Sequence, residues 1–193
     1  IYVKLIGGGP PLRLTTDPAD DLAPAWSPDG RQIAFFRGRA DKTELLLIPP
    51  LGGPERSLPE ASQPPDAGPT LAWSPDSQHV VYPLSTRADE PAGLFLLSIA
   101  TGQKRRLTTP PAAAMKDAAP AFSLDGRTLA FARWEHNWTS HLCLLPLSGN
   151  YEPAGEPRCL EAQQPQVDRP AWTPDGREII YWAGHLLSTG RLW

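Results

Sequence analysis

The sequence lacks the features that mark membrane, nucleic-acid-binding or disulfide-rich proteins. Its 193 residues include two cysteines and carry a formal net charge of −3. No apolar run approaches the roughly 20 residues that a membrane-spanning helix needs. This near-neutral, slightly acidic balance gives no electrostatic footprint for nucleic acid, because phosphate binding needs clustered Lys and Arg. We therefore expect no direct nucleic-acid binding by this segment.

Helical periodicity is also missing, since no stretch keeps apolar residues at spacings of three and four. Proline and glycine are plentiful instead, with 24 and 16 residues. Because proline blocks helix interiors and central strand positions, we predict an all-β chain of short strands between turns. The chain opens at Ile1, and its only methionine is Met115. We interpret it as a fragment of a longer protein.

A short motif occurs four times at nearly constant spacing. It reads Ala-Trp-Ser-Pro-Asp-Gly at 25–30, and copies stand at 72–77, 121–126 and 171–176. A second marker, Arg-Leu-Thr-Thr, occupies 13–16 and again 106–109. Two markers in register predict four copies of one supersecondary unit. The motif aspartates lie 47, 49 and 50 residues apart: Asp29, Asp76, Asp125 and Asp175.

Each unit is predicted to hold four short strands. In the first unit we expect them at 24–26, 32–36, 44–48 and 55–58. Between the first two strands, proline presets φ, aspartate bonds the nearby backbone and glycine closes the turn. The four motif aspartates are therefore interpreted as turn formers. Four-stranded units of about 40–50 residues are typical of β-propeller blades.

Aromatic residues recur at two places in every unit, one in the motif and one in the second strand. Blades packed side by side bury large aromatic rings between their faces. We therefore predict that these eight residues form the core between blades: Trp26, Trp73, Phe122, Trp172, Phe35, Tyr82, Phe131 and Tyr181.

The repeat resembles the TolB-type WD40-like propeller repeat. The resemblance rests on Trp-Ser-Pro-Asp-Gly-Arg at 26–31, the Ile-Ala-Phe strand that follows and the Arg-Leu-Thr ending. Ser77 and Leu124 are single departures from it. It implies a β-propeller of four-stranded antiparallel blades. The sequences of residues 2–7 and 51–56 further resemble the propeller portion of bacterial winged-helix transcriptional regulators. The DNA-binding domain of such a regulator would belong to the parent protein.

The phase of the repeat predicts one β-propeller segment over 1–193. Aligned third strands begin at Ile1 and end at Leu192, so three whole blades stand between two half-blades. Either the end pieces pair and close a small ring, or the segment is an arc completed by other blades or by self-association with a second copy. The predicted half-blades are 1–16 and 170–193, and the predicted blades are about 23–60, 70–109 and 119–161.

Longer loops on one face are the predicted place for a protein or small-molecule ligand. Residues 133–138 combine two Trp, one His and two charges, and Trp and Arg dominate interface hot spots. Packing against the next blade, or simple solvation, is the alternative for these residues. The candidate binding residues are Arg133, Trp134, His136, Trp138, Arg37, Arg39 and Arg87.

No catalytic, cofactor or metal site is predicted. The acidic cluster Asp17, Asp20 and Asp21 lacks the fixed glycine of a calcium loop. The histidines lack zinc-ligand spacing, and no Gly-x-Ser-x-Gly nucleophile motif occurs. We therefore expect a chain that is not an enzyme and needs no cofactor.

The predicted function is a non-enzymatic binding or scaffold module, the sensory or protein-interaction part of a bacterial transcriptional regulator. The alternatives are the propeller cap of a prolyl-oligopeptidase-type serine peptidase and a TolB-like periplasmic envelope protein. Cys143 and Cys159 fall on neighbouring strands, where either a disulfide or two free thiols fits. We favour an extracytoplasmic part of a membrane-anchored parent, with a cytoplasmic location as the alternative.

Overall fold

The computed structural model describes residues 1–40, 42–63, 70–87, 89–135, 139–160, 166–184 and 191–192, with the backbone alone at 59–63 and 191–192. These residues form seventeen β-strands and no helix. Accordingly, nothing within them qualifies as a membrane-spanning helix. The prediction of an all-β chain of four-stranded antiparallel sheets is confirmed.

The strands form five separate antiparallel sheets, and neighbours in each sheet follow chain order. A two-stranded sheet opens the chain, followed by three four-stranded sheets and a three-stranded one, which we call the first to fourth blades. The first sheet consists of β1 (Tyr2–Val3) and β2 (Leu12–Arg13). The first blade consists of β3 (Asp21–Trp26), β4 (Ile33–Gly38), β5 (Thr43–Ile48) and β6 (Arg56–Gln63).

The other blades repeat this order. The second blade consists of β7 (Ala72–Trp73), β8 (His79–Leu84), β9 (Gly93–Ser98) and β10 (Lys104–Arg106). The third consists of β11 (Ala114–Phe122), β12 (Thr128–Glu135), β13 (Ser140–Pro146) and β14 (Arg158–Cys159). The fourth consists of β15 (Gln166–Trp172), β16 (Ile179–Gly184) and β17 (Arg191–Leu192).

The same hydrogen-bonded turn joins the first two strands of each blade. In the first blade, Ser27 Oγ donates to Asp29 Oδ1 at 2.6 Å, and the N–H of Arg31 donates to the same oxygen at 3.0 Å. These bonds lower the pKa of Asp29. The turn then needs a left-handed residue, which is Gly30 with φ 70°. Asp76, Asp125 and Asp175 accept the equivalent bonds.

Three of the innermost strands, β3, β11 and β15, begin earlier than predicted and carry a bulge. The sequence predicted a strand at 24–26, whereas β3 already pairs at Asp21, opposite Arg37. Pairing is interrupted between Leu22 and Ala25 and then resumes. In each of these three strands, the bulge just before the motif contains a non-glycine residue with φ 50° directly before a proline: Ala23, Ala119 and Arg169.

The hydrophobic core lies between blades rather than within one central mass. Separate buried clusters join the first blade to the second, the second to the third, and the third to the fourth. A further cluster packs residues of β1 and β2 against the first blade. Of the predicted core aromatics, Phe35, Tyr82 and Phe131 are fully buried. Trp73 is buried as well, and Phe122, Trp172 and Tyr181 are half-buried.

Trp26 corrects one core prediction, because its side chain is 51 % exposed. Trp73 and Trp172 pack on the innermost strand of the preceding blade and donate a hydrogen bond to it. The sheet that precedes the first blade contains only β1 and β2, which pack through Ile1, Val3 and Leu14 against Phe35 and its neighbours. No described strand therefore covers Trp26.

Candidate functional site

One open cleft of about 710 Å³, which we call the central cleft, lies beside the innermost strands of the first, third and fourth blades and the residues just before β7. Short side chains line most of it, among them the Ala-Pro pairs of the β3 and β11 bulges and Pro170 of the β15 bulge. The cleft is lined by residues 22–25, 70–71, 116, 118–120, 134 and 168–170.

Two charged groups in the central cleft lack a close partner. The carboxylate of Asp168 is half-buried, and its nearest cation is Arg169 Nε at 3.8 Å, on a side chain that is 83 % exposed. Burial raises the pKa of Asp168, although the N–H and charge of Arg169 and the charge of Lys116 oppose it. Lys116 is half-buried, and no described side chain pairs with it. Both groups are available to a ligand.

A buried ion pair stands beside the cleft and contrasts with Asp168. Arg133 donates to both oxygens of Asp117, at 2.8 and 2.9 Å. The Asp117 carboxylate is fully buried, and the Arg133 side chain is only 12 % exposed. The prediction that Arg133 is a loop residue open to ligands is therefore wrong, because the cross-strand carboxylate holds its guanidinium inward.

Arg37 corrects a second binding prediction. Its side chain is 3 % exposed and bonds Asp21 at 2.7 Å as well as the carboxylate of Glu55. This is the first-blade counterpart of the Asp117–Arg133 pair, since both pairs join the same positions of the first two strands. Arg37 stabilises the blade and is not exposed to ligands.

The remaining predicted binding residues are scattered. Arg39 pairs with Asp17 at 2.9 Å, and exposed Arg87 pairs with Asp89 at 3.1 Å. Trp134 is half-buried and lines the central cleft. His136 and Trp138 lie outside the described residues. Of the five predicted residues that the structure describes, the cleft includes only Trp134.

Sequence reasoning missed Lys116 and Asp168. Aligned on the Pro-Ala of each motif, Asp168 stands where the first and third blades have Leu22 and Ala118. A charged residue at an apolar position of the repeat was the available signal for Asp168. Lys116 fell in a segment expected to be an interblade loop, whereas β11 already begins at Ala114.

A disulfide joins Cys143 of β13 to Cys159 of β14, where the two residues are direct cross-strand partners. Cys143 is fully buried, whereas Cys159 lies exposed at the outer edge of the third blade. Of the two alternatives left open by the sequence, the structure has the disulfide. Within the described part of the chain, no three His, Cys, Asp or Glu side chains are grouped to hold a metal ion.

Comparison with known proteins relates the chain to a peptidase and to several propellers. No family model matches it. It is 29% identical over 167 residues to Uncharacterized peptidase YuxL of Bacillus subtilis (strain 168), a match that covers 68% of this chain and 24% of that protein. The chain thus spans about a quarter of the length of this relative.

Solved structures that share the architecture include the following three. TolB from Acinetobacter baumannii superposes with a TM-score of 0.75 at 16% identity, covering 96% of this chain and 43% of TolB. The β-propeller domain of the Trilobed protease from Pyrococcus furiosus gives 0.59 at 10% identity, with 91% and 54% covered. A prolyl endopeptidase gives 0.60 at 16% identity, with 92% and 27% covered.

These findings correct the expectation that the chain is not an enzyme. The sequence relative is named as a peptidase, and the structural neighbours include a prolyl endopeptidase and an oligogalacturonate lyase. The relatives described here include no transcriptional regulator, so that resemblance has no support. At these identities the solved structures establish the fold alone. The chain has a TolB-type β-propeller fold.

Proposed function

We propose that this chain is the propeller portion of a peptidase. Its central cleft binds the peptide, and a hydrolase domain outside these residues cleaves it. The cleft carries the proposal, because it is an opening of about 710 Å³ to which all four blades contribute residues in or next to their innermost strands. The relative named as a peptidase supports the same assignment.

The chemistry of the cleft suits an extended peptide. Asp168 and Lys116 offer one charge of each sign, and Trp134 adds an apolar surface with an N–H donor. Burial disfavours the Asp168 carboxylate, so a cationic group or an N–H from a ligand stabilises it. A concave site with a few convergent, incompletely paired polar groups is typical of ligand binding.

The disulfide bears on where the parent protein works. Disulfides form and persist in oxidising compartments and are rare in the cytosol. The Cys143–Cys159 bond therefore favours an extracytoplasmic location for the parent. Counting free thiols in the native protein before and after reduction measures this. Two reactive thiols before reduction would contradict the extracytoplasmic assignment.

The first experiment tests whether the parent is a serine peptidase. The longer parent polypeptide is purified, treated with a fluorophosphonate probe and assayed for cleavage of a series of peptides. We expect covalent labelling and peptide hydrolysis that the probe abolishes. A parent with neither labelling nor cleavage would show that the proposal is wrong.

The second experiment tests the role of the cleft. Leu22 lines the cleft and is 44% exposed, so Leu22→Trp narrows the opening without overpacking the core. We expect kcat/KM for peptides to fall about tenfold, while hydrolysis of a small activated ester changes little. Leu51→Trp is the matched control, because Leu51 is 84% exposed and lies away from the cleft. Equal effects of both variants would remove the cleft from the proposal.

A further inference from the structure

The carboxylate of Asp168 in the central cleft differs from other carboxylates of comparable burial. Its side chain is 28% exposed, and its nearest cation lies 3.8 Å away on the exposed side chain of Arg169. In the described part of the chain, five other carboxylates are no more exposed than this, and each lies within 2.9 Å of an arginine or lysine nitrogen: Asp17, Asp21, Glu44, Glu55 and Asp117. These five are neutralised within the chain, whereas Asp168 is not.

The repeat shows how Asp168 comes to stand without a close cation. The first and third blades pair an acid of the innermost strand with an arginine of the second strand: Asp21 with Arg37, and Asp117 with Arg133. The fourth blade has Val167 and Ala183 at these two positions, and both are buried. The acid and the arginine of the earlier blades are therefore both absent there.

The acid of the fourth blade stands one residue later, at the position that faces the central cleft. Leu22, Ala118 and Asp168 occupy this position in their blades, and all three line the cleft. Successive side chains of a strand point to opposite faces, so Asp168 lies on the other face from the paired acids. Its cross-strand partner is Trp182, which carries no charge. No cation therefore faces Asp168 across β15 and β16.

We propose that Asp168 binds a cationic group of the peptide, so that the cleft selects peptides that place a lysine, an arginine or a free amino terminus there. The inference rests on the proposed function for the nature of its ligand. An ammonium or guanidinium group donates charge-assisted hydrogen bonds to a carboxylate that burial has deprived of part of its hydration. Trp134 lines the same cleft and offers an aromatic face to such a cation.

Lys116 acts in the opposite direction. It lines the same cleft, and its charge lowers the pKa of Asp168, so the two groups interact. A cationic ligand group bound at Asp168 is repelled by Lys116. Removal of the lysine charge therefore favours a cationic peptide, whereas removal of the Asp168 charge disfavours it. Opposite signs at two residues of one cleft distinguish charge recognition from general damage to the cleft.

The test measures binding and hydrolysis separately in the longer parent polypeptide. A series of dye-labelled peptides has capped termini and one variable residue, lysine or norleucine, which is moved along the sequence. A further peptide has norleucine and a free amino terminus, so that the two sources of the cation are distinguished. Fluorescence anisotropy measures binding to the parent after fluorophosphonate treatment. We expect about tenfold tighter binding when lysine, or the free amino terminus, is in place of the neutral group.

Three variants assign this preference. Asp168→Asn keeps the shape of the side chain, and we expect it to abolish the preference and to leave binding of the norleucine peptide unchanged. Lys116→Gln is expected to strengthen binding of the lysine peptide by about twofold, the size of effect that a partly exposed charge produces. Asp89→Asn is the matched control, because it removes the same charge from a side chain that is 73% exposed and outside the cleft. It keeps the full preference.

The outcomes separate this inference from the proposed function. Equal affinity for the lysine, norleucine and free-terminus peptides at every position would overturn the inference, and so would a preference that survives Asp168→Asn. Peptide hydrolysis by the same parent would leave the peptidase assignment intact in either case. A parent that cleaves nothing but shows the Asp168-dependent preference would support the inference and contradict that assignment. A parent that binds none of the peptides would overturn the inference.

Discussion

Two neighbouring interfaces between blades of this molecule are packed and linked by different residues. Between the first and second blades, Trp73 is buried and its indole donates to the carbonyl of Ala25. Between the second and third blades the motif aromatic is Phe122, which has no N–H to donate. There the ring of Tyr151 packs against Phe122 at 5.4 Å, and its hydroxyl donates to the carboxylate of Asp76.

Tyr151 reaches this position because the loop that follows β13 is long. The same loop holds the outer strand of the second blade, where Arg105 bonds the carbonyl of Asn150 at 2.7 Å and pairs with Glu152 at 3.2 Å. The interface between the first and second blades is therefore linked near the centre by Trp73, a residue of the repeat. The interface between the second and third blades is linked from the periphery by loop residues that lie outside the repeated motif. A repeat tolerates loss of a motif residue where a loop supplies a replacement contact.

The largest expected effect is at the interface between the first and second blades, where the indole of Trp73 is buried. Trp73→Ala removes a buried ring and its hydrogen bond, and we expect a loss of about 3–5 kcal/mol in the free energy of unfolding. Urea denaturation followed by circular dichroism measures it. Leu51→Ala, which removes an exposed side chain, serves as control and is expected to change the free energy by less than about 0.5 kcal/mol. A Trp73→Ala cost below about 1 kcal/mol would contradict the importance of the indole.

The second prediction isolates the packing of Tyr151. A Cβ added at Gly126 would lie 2.9 Å from the Tyr151 ring, whereas one at Gly30 meets nothing within 4 Å. Both glycines have φ 70°, so alanine costs about 1–2 kcal/mol of backbone strain at either position. We expect Gly126→Ala to cost about 1–3 kcal/mol more than Gly30→Ala, because it also overpacks the second interface. Thermal denaturation of the two variants side by side gives the difference, and equal melting temperatures would contradict it.

The difference between the interfaces also shows which features could be predicted from the sequence and which could not. The repeated motif predicted the blades, the turns at Asp29 and its equivalents, and buried rings such as Phe35 and Tyr82. Trp26 has the same motif and a different environment, because its burial depends on a neighbouring strand and not on its own sequence. Tyr151 lies outside the repeat, so the alignment of repeats gave it no role.

The central cleft was hidden for a related reason. Its charged residues, Asp168 and Lys116, belong to strands with register shifts, and the one signal in the sequence was the charge of Asp168 at an apolar position of the repeat. The Asp21–Arg37 and Asp117–Arg133 pairs join positions 16 residues apart. That recurrence could have identified both arginines as structural residues instead of candidate ligand contacts.

The third prediction concerns the polar contact of Tyr151 and its dependence on pH. Burial opposes ionisation of Asp76, but bonds from Ser74, the N–H of Gln78 and Tyr151 keep its pKa below the ordinary 3.8. A carboxyl with a lowered pKa in the folded protein stabilises the fold above pH 3.8 and loses this contribution as the pH falls. We expect Tyr151→Phe to cost about 1 kcal/mol at pH 7 and less at about pH 3. Urea titrations at both pH values check this, and a cost that rises at low pH would contradict it.

The smallest expected effect concerns a second hydrogen bond between the first and second blades, which could add to the contact made by Trp73. Ser77 replaces the turn glycine and keeps φ 62°, a conformation that costs about 1 kcal/mol for a residue with a Cβ. Its hydroxyl accepts a hydrogen bond from the N–H of Asp29 in the neighbouring blade at 3.0 Å. Ser77→Gly relieves the strain and removes this bond, so the two changes nearly cancel. We expect less than about 0.5 kcal/mol in the free energy of unfolding.

Comparison with Ser77→Ala then separates the effect of the backbone strain from the effect of the hydrogen bond to Asp29. Alanine keeps the strain and loses the hydrogen bond, so we expect this variant to be about 1 kcal/mol less stable than Ser77→Gly. If Ser77→Gly instead stabilises the protein by the full strain energy, the bond to Asp29 contributes nothing. The first and second blades would then be linked at the centre by the indole of Trp73 without help from the turn.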